Sequence, residues 1–197
     1  MLNALHPATH ENLQLGEGVL LRGIDLDAAL HSARPGAELA AMMADPARLI
    51  GATKAGCEFR CVPVMLDATQ GHRTAALGET LTGRWEVTLS GTLLEITPEN
   101  AAMLLNQPPR GSAGGQTVMQ PEPTPLADAC EDLCWVGDTG SGLLAIELQC
   151  PVSTGGMVFR ASRDGLGEAA FTLMAHKRSP EQPGLPCRLM WLKEATA

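Results

Sequence analysis

Tyrosine is absent, and the only aromatic residues are three tryptophans and three phenylalanines among 197 positions. So few rings, without a basic surround, exclude the stacking platforms that grip single-stranded nucleic acid. Basic residues are scarce as well: fourteen Lys and Arg against twenty-two Asp and Glu leave a formal net charge of −8 and a pI near 5.1. A surface of that sign repels a phosphate backbone instead of replacing its counterions. No apolar run approaches the roughly 18 residues of a membrane-spanning helix. The opening "MLNALHPATH" has neither the basic start nor the apolar core of an export signal. These absences predict a soluble protein made in a cytoplasm, without a membrane partner. Its six cysteines, Cys57, Cys61, Cys130, Cys134, Cys150 and Cys187, are then expected to remain free thiols. There is no phosphate-binding P-loop and no dinucleotide fingerprint, and Ser141, though flanked by Gly140 and Gly142, lacks the G-x-S-x-G spacing of a nucleophile elbow. No cofactor is expected.

What is present is a chain that is 45% hydrophobic, enough for one domain spanning 1–197 with a core of its own. Its most informative stretch is "LTGRWEVTLSGTLLEITPEN", Leu81 to Asn100. Leu81, Gly83, Trp85, Val87, Leu89, Gly91 and Leu93 alternate with Thr82, Arg84, Glu86, Thr88, Ser90 and Thr92. Successive side chains leave opposite faces of a strand, so the period of two predicts one apolar and one polar face. Carried on to Ile96, the strand covers roughly 50 Å at about 3.3 Å per residue, far more than the usual five or six residues. Thr97 then caps a helix from Pro98 to about Leu105, with Glu99 facing its positive end.

Upstream, residues 1–15 read as an arm, "GVLLRGIDLD" as a short strand, and Ala37 to Ala44 as a short helix stopped by Pro46. "GATKAGCEFRCVPVML" is a second alternating segment, with Cys57, Phe59, Cys61 and Met65 on one face and Glu58 and Arg60 on the other. Pro63 marks an edge or a bend in it. The polar, glycine-containing stretch 67–80 joins the two alternating segments as the loop of an extended hairpin. Residues 107–125, rich in proline, glycine and glutamine, form a flexible excursion. From Asp132 the chain reads all-β, as "LCWVGDT", "LLAIELQC", "MVFRAS", "GEAAFTLMAHK" and "CRLMWL" separated by turn residues. Phe59, Trp85, Trp135, Phe159, Phe171 and Trp191 all fall inside strand segments and are assigned to the core.

Three constellations carry possible chemistry. "VGDTGSG" contains Asp138, Thr139 and Gly140, a tripeptide similar to the signature of retroviral-type aspartic proteases, which pair two carboxylates sharing a proton and so need two copies of this chain. Turn residues between two strands favour a hairpin turn instead. Cys57 and Cys61 with Cys130 and Cys134 give two C-x-x-x-C spacings, but positions i and i+4 of a strand lie about 13 Å apart, too far for one zinc ion. They read as small buried hydrophobes. His6, His10 and Glu11 chelate a metal only if the arm is helical, which Pro7 opposes.

The order "GATKAG", alternating strand, glycine-containing loop, "WEVTLSGTLLEITPENAAMLL", then "LLAIELQCPVSTGGMVFRAS" and "AAFTLMAHKRSP" resembles the major tail tube proteins of long-tailed bacteriophages, from about Gly16 to Trp191. "GATK" and "LLEITPEN" are its most specific wording. The 107–125 loop is longer and richer in proline than that pattern, and "AHKRSP" stands where aromatic and acidic residues are often found. The resemblance implies a mainly β subunit: a β-sandwich with a long extended hairpin and one flanking short α-helix, the hairpins of neighbouring subunits joining into an inter-subunit β-barrel. It implies a structural virion protein without catalysis, assembled in the bacterial host cytoplasm into hexameric rings that stack as the tail conduit. Its partners are then other copies, a tape measure protein, and terminator and tail-tip proteins, with viral DNA passing through the lumen without specific binding. Related terminator or baseplate rings share the fold. Glu58, Arg60, Thr82, Arg84, Glu86, Thr88, Ser90 and Thr92 are the lumen-lining candidates. Hydroxyls and mixed charges there, together with an acidic excess, are expected to let DNA slide.

Overall fold

The computed structural model describes residues 14–67, 80–107, 117–121, 131–140, 142–161 and 167–193. In chain order the elements are β1 (Gln14–Arg22), α1 (Leu26–Leu30), α2 (Pro35–Met43), β2 (Leu49–Asp67), β3 (Thr80–Leu93), α3 (Pro98–Leu104), β4 (Leu133–Thr139), β5 (Gly142–Leu148), β6 (Val152–Ser153), β7 (Val158–Arg160), β8 (Glu168–Met174) and β9 (Cys187–Lys193). The architecture is mainly β, as expected. The nine strands form one antiparallel sheet in the order β6, β8, β3, β2, β1, β4, β5, β9, with β7 also pairing β8. Among the described residues the sheet does not close, because β6 and β9 end the order.

It is strongly bent. Five steps separate β8 from β5 in the strand order, about 24 Å on a flat sheet at about 4.8 Å per step. Yet the His176 amide, just past β8, donates to the Gln149 carbonyl, just past β5, at 2.9 Å. The bend wraps one face around the larger buried cluster, which takes Leu20 from β1, Val87, Leu89 and Leu93 from β3, Trp135 from β4, Ile146 and Leu148 from β5, and Phe171 and Leu173 from β8. Leu104 of α3 closes part of it. On the opposite face, Leu21, Cys134, Val136, Ala145 and Met190 pack under Leu26 and Ala29 of α1 and Leu39 of α2. Neighbours such as Leu20 and Leu21 thus serve different clusters, as the pleat requires. Strands β1, β4 and β5 are covered on both faces and therefore read as continuous apolar runs; β3 is covered on one face and therefore alternates.

The helices follow their caps. Thr97 Oγ1 accepts from the Asn100 amide at 3.1 Å, and Pro98 starts α3 as predicted. Asn100 is buried and donates to the Ile50 and Glu95 carbonyls at 2.8 and 3.0 Å, which fastens α3 to the start of β2. Asn106, at φ 52°, ends the helical path and exchanges two 2.8 Å hydrogen bonds with the Ser153 backbone. The predicted helix at Ala37 to Ala44 begins two residues earlier, at Pro35. One segment is corrected outright: "IDLD" is not strand. Asp25 accepts from the Asp27 and Ala28 amides at 2.9 and 3.0 Å and so caps α1, a local alternative to the ladder that short acidic side chains offer.

The strand segments after Asp132 coincide with β4, β5, β7, β8 and β9, while the two-residue β6 carries too little pattern to be read. The 107–125 stretch contributes no helix or strand at its described residues, Gln107 and 117–121. Residues 1–13 and 68–79 lie outside the described residues, and with them His6, His10 and Glu11. The rest of the 1–15 arm, Gln14 and Leu15, belongs to β1.

Two further expectations are corrected. Cys57, Cys61, Cys134 and Cys187 are free thiols, but Cys150 is disulfide-bonded; the fold brings it to a partner that reasoning from the compartment could not foresee. Of the six aromatic residues, Trp135 and Phe171 are buried and Phe59 packs against the larger cluster. Trp85, Phe159 and Trp191 are 44%, 50% and 66% exposed. Each lies on a strand that has run past the core or borders the sheet, so strand membership does not confer burial.

Candidate interaction surface on the projecting hairpin

β2 and β3 are 19 and 14 residues long. β3 stops at Leu93, short of Ile96, and β2 continues unbroken past Pro63. Their pairing runs from Thr53 opposite Leu93 to Asp67 opposite Thr80. Among the described pairings, β1 joins β2 on its outer side from Leu49 to Thr53, and β8 joins β3 from Thr88 to Leu93. The Ala175 amide adds one more bond, to the Val87 carbonyl. Beyond those points the two strands have only each other among the described residues. A two-stranded ribbon therefore leaves the sheet, with residues 57–67 and 80–86 presenting open edges. Pro63 lies on one of them, where the missing amide of a strand proline is tolerated.

Cross-strand partners share a face in an antiparallel pair. On the inner face stand Cys57 with Gly91, Phe59 with Leu89, Cys61 with Val87 and Pro63 with Trp85. Gly91 is required there, since a Cβ would meet Cys57 Sγ at 2.8 Å and Phe171 Cζ at 3.0 Å. On the outer face stand Glu58 with Ser90, Arg60 with Thr88, Val62 with Glu86 and Val64 with Arg84. The structure thus brings Glu58, Arg60, Arg84, Glu86, Thr88 and Ser90 together on one face, and Thr92 follows by the alternation of β3. Thr82 pairs with Met65 past a register shift between Val64 and Met65, and its side chain lies outside the described residues.

The candidates differ in setting. Arg84, Glu58 and Arg60 side chains are 72%, 70% and 62% exposed, and Glu86 is 42% exposed. Thr88, Ser90 and Thr92 are half-buried within the sheet, opposite Met174, Thr172 and Ala170 of β8. The charges pair along each strand, with Arg84 Nη2 to Glu86 Oε1 at 2.7 Å and Arg60 Nε to Glu58 Oε1 at 3.8 Å. Among the described side chains of this face, two arginines balance two glutamates. Two residues of the same face escaped the sequence reading: Val62, which is 43% exposed, and Val64. The alternation from Glu58 and Arg60 through "CVPV" already carried that signal.

The remaining candidate chemistry is dispersed. Asp138 is exposed at the end of β4, paired with Leu143, while Thr139 pairs with Gly142, which makes the stretch the expected hairpin turn. It borders an open cavity of about 540 Å³ with Glu17, Lys54, Met43, Leu94 and Leu143. Lys54 is ion-paired to Glu168. Cys57 and Cys61 face the larger cluster and Cys134 the smaller one on the other side of the sheet, so these three do not converge on one ion. Among the described residues no three His, Cys, Asp or Glu side chains are grouped to hold a metal, and no helix is long and apolar enough to cross a membrane.

The most deeply buried charge was not singled out from the sequence. Glu147 of β5 is fully buried; its Oε2 accepts from Arg188 Nη1 at 3.1 Å, and its Oε1 has no hydrogen-bond partner among the described residues. Burial holds this carboxyl above the usual range, against the opposing pull of Arg188. Arg188 also reaches Asp27 of α1 at 3.8 Å, tying that helix to the sheet. Compared with protein-family models and with curated proteins, the chain matches none.

Proposed function

We propose that this chain is a structural subunit that closes into rings through its β2–β3 ribbon, and that the rings stack as a conduit of the phage tail tube kind. The observation that supports the reading is the ribbon itself: two open edges on a projecting hairpin whose outer face is charged and whose inner face is apolar. An isolated two-stranded hairpin is marginally stable in water, and unpaired edges invite association. Joining the ribbons of neighbouring subunits edge to edge removes both problems, because a closed barrel has no edges. Each bent sheet then packs as a sandwich-like body outside the barrel, with α3 against it. The outer faces of the ribbons line the lumen, presenting Glu58, Arg60, Arg84, Glu86, Thr88, Ser90 and Thr92. A barrel wider than about 16 to 18 strands keeps water inside. Balanced arginine and glutamate pairs leave no continuous stripe of positive charge on which a phosphate backbone would stick. No catalysis is assigned. Copies of the chain are its first partners, and the tape measure, terminator and tail-tip proteins of a virion tail follow from the same reading. A terminator or baseplate ring differs in stopping at one ring.

Electron microscopy and sedimentation of the purified chain at rising concentration test this. Rings or tubes are the expected outcome, accompanied by new hydrogen-exchange protection at residues 62–66 and 84–86. A monomer that persists at all concentrations, with those amides exchanging at one rate throughout, sinks the proposal.

A further inference from the structure

The helix pair over the smaller cluster is seated on a carboxyl group. Leu21, Cys134, Glu147 and Arg188 are register partners in turn across β1, β4, β5 and β9, and cross-strand partners share a face. That face is covered by Leu26 and Ala29 of α1 and by Leu39, Met42 and Met43 of α2. Glu147 is therefore embedded in an apolar row, fully buried, with Arg188 Nη1 on Oε2 at 3.1 Å and no partner for Oε1 among the described residues. Its one guanidinium is shared, since Arg188 Nη2 lies 3.8 Å from Asp27 Oδ1 on α1. Asp27 in turn has the His31 ring nitrogen at 3.8 Å. Glu147 thus faces Cys134 and Arg188 from the neighbouring strands and α1 with Asp27 from above. Burial raises its pKa, Arg188 opposes the rise, and the charges of Asp132 and Asp25 add to it. α1 has five residues, far short of the roughly 12 at which isolated helices begin to persist in water.

We propose that α1 is a pH-operated cover of the sheet, seated while Glu147 is protonated and lifting more often once Glu147 ionises. Seated, the carboxylate has a single hydrogen bond and a guanidinium already drawn to Asp27, far less than water gives it. Lifting admits water to Glu147, carries Asp27 and Asp25 away from it, and uncovers Leu21, Val136 and Met190 of the cluster beneath. Because the folded pKa is raised, the seated state is favoured below the ordinary carboxyl range and loses ground as pH rises, until Glu147 is ionised in the seated state too. Between those limits lifting releases one proton, and the lifted fraction grows about tenfold per pH unit. All these groups belong to one subunit, so the cover works with or without ring formation.

Amide hydrogen exchange of the full chain, corrected at each pH for the intrinsic chemical rate, tests this. The Ala29 and His31 amides, bonded to the Asp25 and Asp27 carbonyls at 3.1 Å, should lose protection about tenfold per pH unit above the ordinary carboxyl range and then level off. The amides of residues 88–93 in β3, inside the sheet, should not follow. Glu147→Gln should abolish the loss; His31, the other titratable group on Asp27, is unaltered in that variant, so the two contributions separate. A flat profile in the parent, an equal loss in β3, or an equal loss in Glu147→Gln overturns the cover. Asp27→Asn, at an exposed position, serves as a second variant should Glu147→Gln fail to fold. With one negative charge fewer facing Glu147 its profile should level off at a lower pH, and an unshifted profile overturns the sharing of Arg188.

Discussion

Two hairpins of this molecule are built on the same antiparallel pairing and behave oppositely. β4 and β5 have seven residues each, match from Leu133 opposite Leu148 to Thr139 opposite Gly142, and are flanked by β1 and β9. Apolar clusters cover both of their faces. β2 and β3 share the pairing chemistry but outrun their neighbours, so among the described residues half of the hairpin has no covering strand and only one apolar face. The difference teaches that hairpin length is not a measure of stability. Flanking strands and two-sided burial hold the first hairpin in place, whereas part of the second has backbone donors and acceptors with no flanking strand among the described residues.

The same residue type on each hairpin gives the sharpest test. Trp135, 3% exposed with its Nε1 donating to Thr53 Oγ1 at 3.1 Å, anchors the first hairpin, and Trp135→Ala should cost about 3–5 kcal/mol in urea denaturation. Trp85→Ala, at a 44% exposed position on the ribbon, should cost about 1 kcal/mol or less in the monomer. Equal costs would break the comparison. Where the ribbon root enters the sheet, Gly91→Ala forces a Cβ against Cys57 and Phe171 and should cost about 1–3 kcal/mol. A neutral result would show the root to be as loosely packed as the tip.

Glu147 sharpens the comparison through pH, because its penalty belongs to the doubly covered hairpin alone. Its folded pKa is raised, so its contribution to stability is fully present below the unfolded value and is lost as pH rises through the folded one. Glu147→Gln removes that ionisation. The variant should therefore gain on the parent as pH climbs above the ordinary carboxylate range, with the two curves parallel at still higher pH. Chemical denaturation at a series of pH values checks this, and a constant gap at every pH contradicts it. The smallest effect belongs to the ribbon surface. Arg84→Ala removes an exposed pair with Glu86 and should change monomer stability by about 0.5 kcal/mol or less. A larger loss in the monomer would mean that the outer face is structural.

Much of this was legible in the order of residues. The segments "LCWVGDT", "LLAIELQC" and "CRLMWL" became β4, β5 and β9 because continuous apolar runs between turn residues leave few other options, and Thr97 with Pro98 started α3 through local capping. The alternation of Leu81 to Leu93 already puts Arg84, Glu86, Thr88, Ser90 and Thr92 on one face, since a pleat enforces it. "IDLD" was misread because Asp25 satisfies helix amides as well as a strand satisfies its ladder, a competition that pattern alone does not resolve. Trp85, Phe159 and Trp191 were misassigned because a period reports which face a side chain takes, not whether anything lies against that face.

The sequence alone therefore determined the element types, the two-faced character of the long hairpin and the caps that end it, because these depend on interactions within a few residues. Only the tertiary structure decided that the sheet bends until β8 and β5 share a core, that the ribbon outruns its neighbours, and that Glu147 is buried beside Arg188. Each of those depends on which strands become neighbours and how the sheet curves, and pairing between distant segments is written in no local pattern.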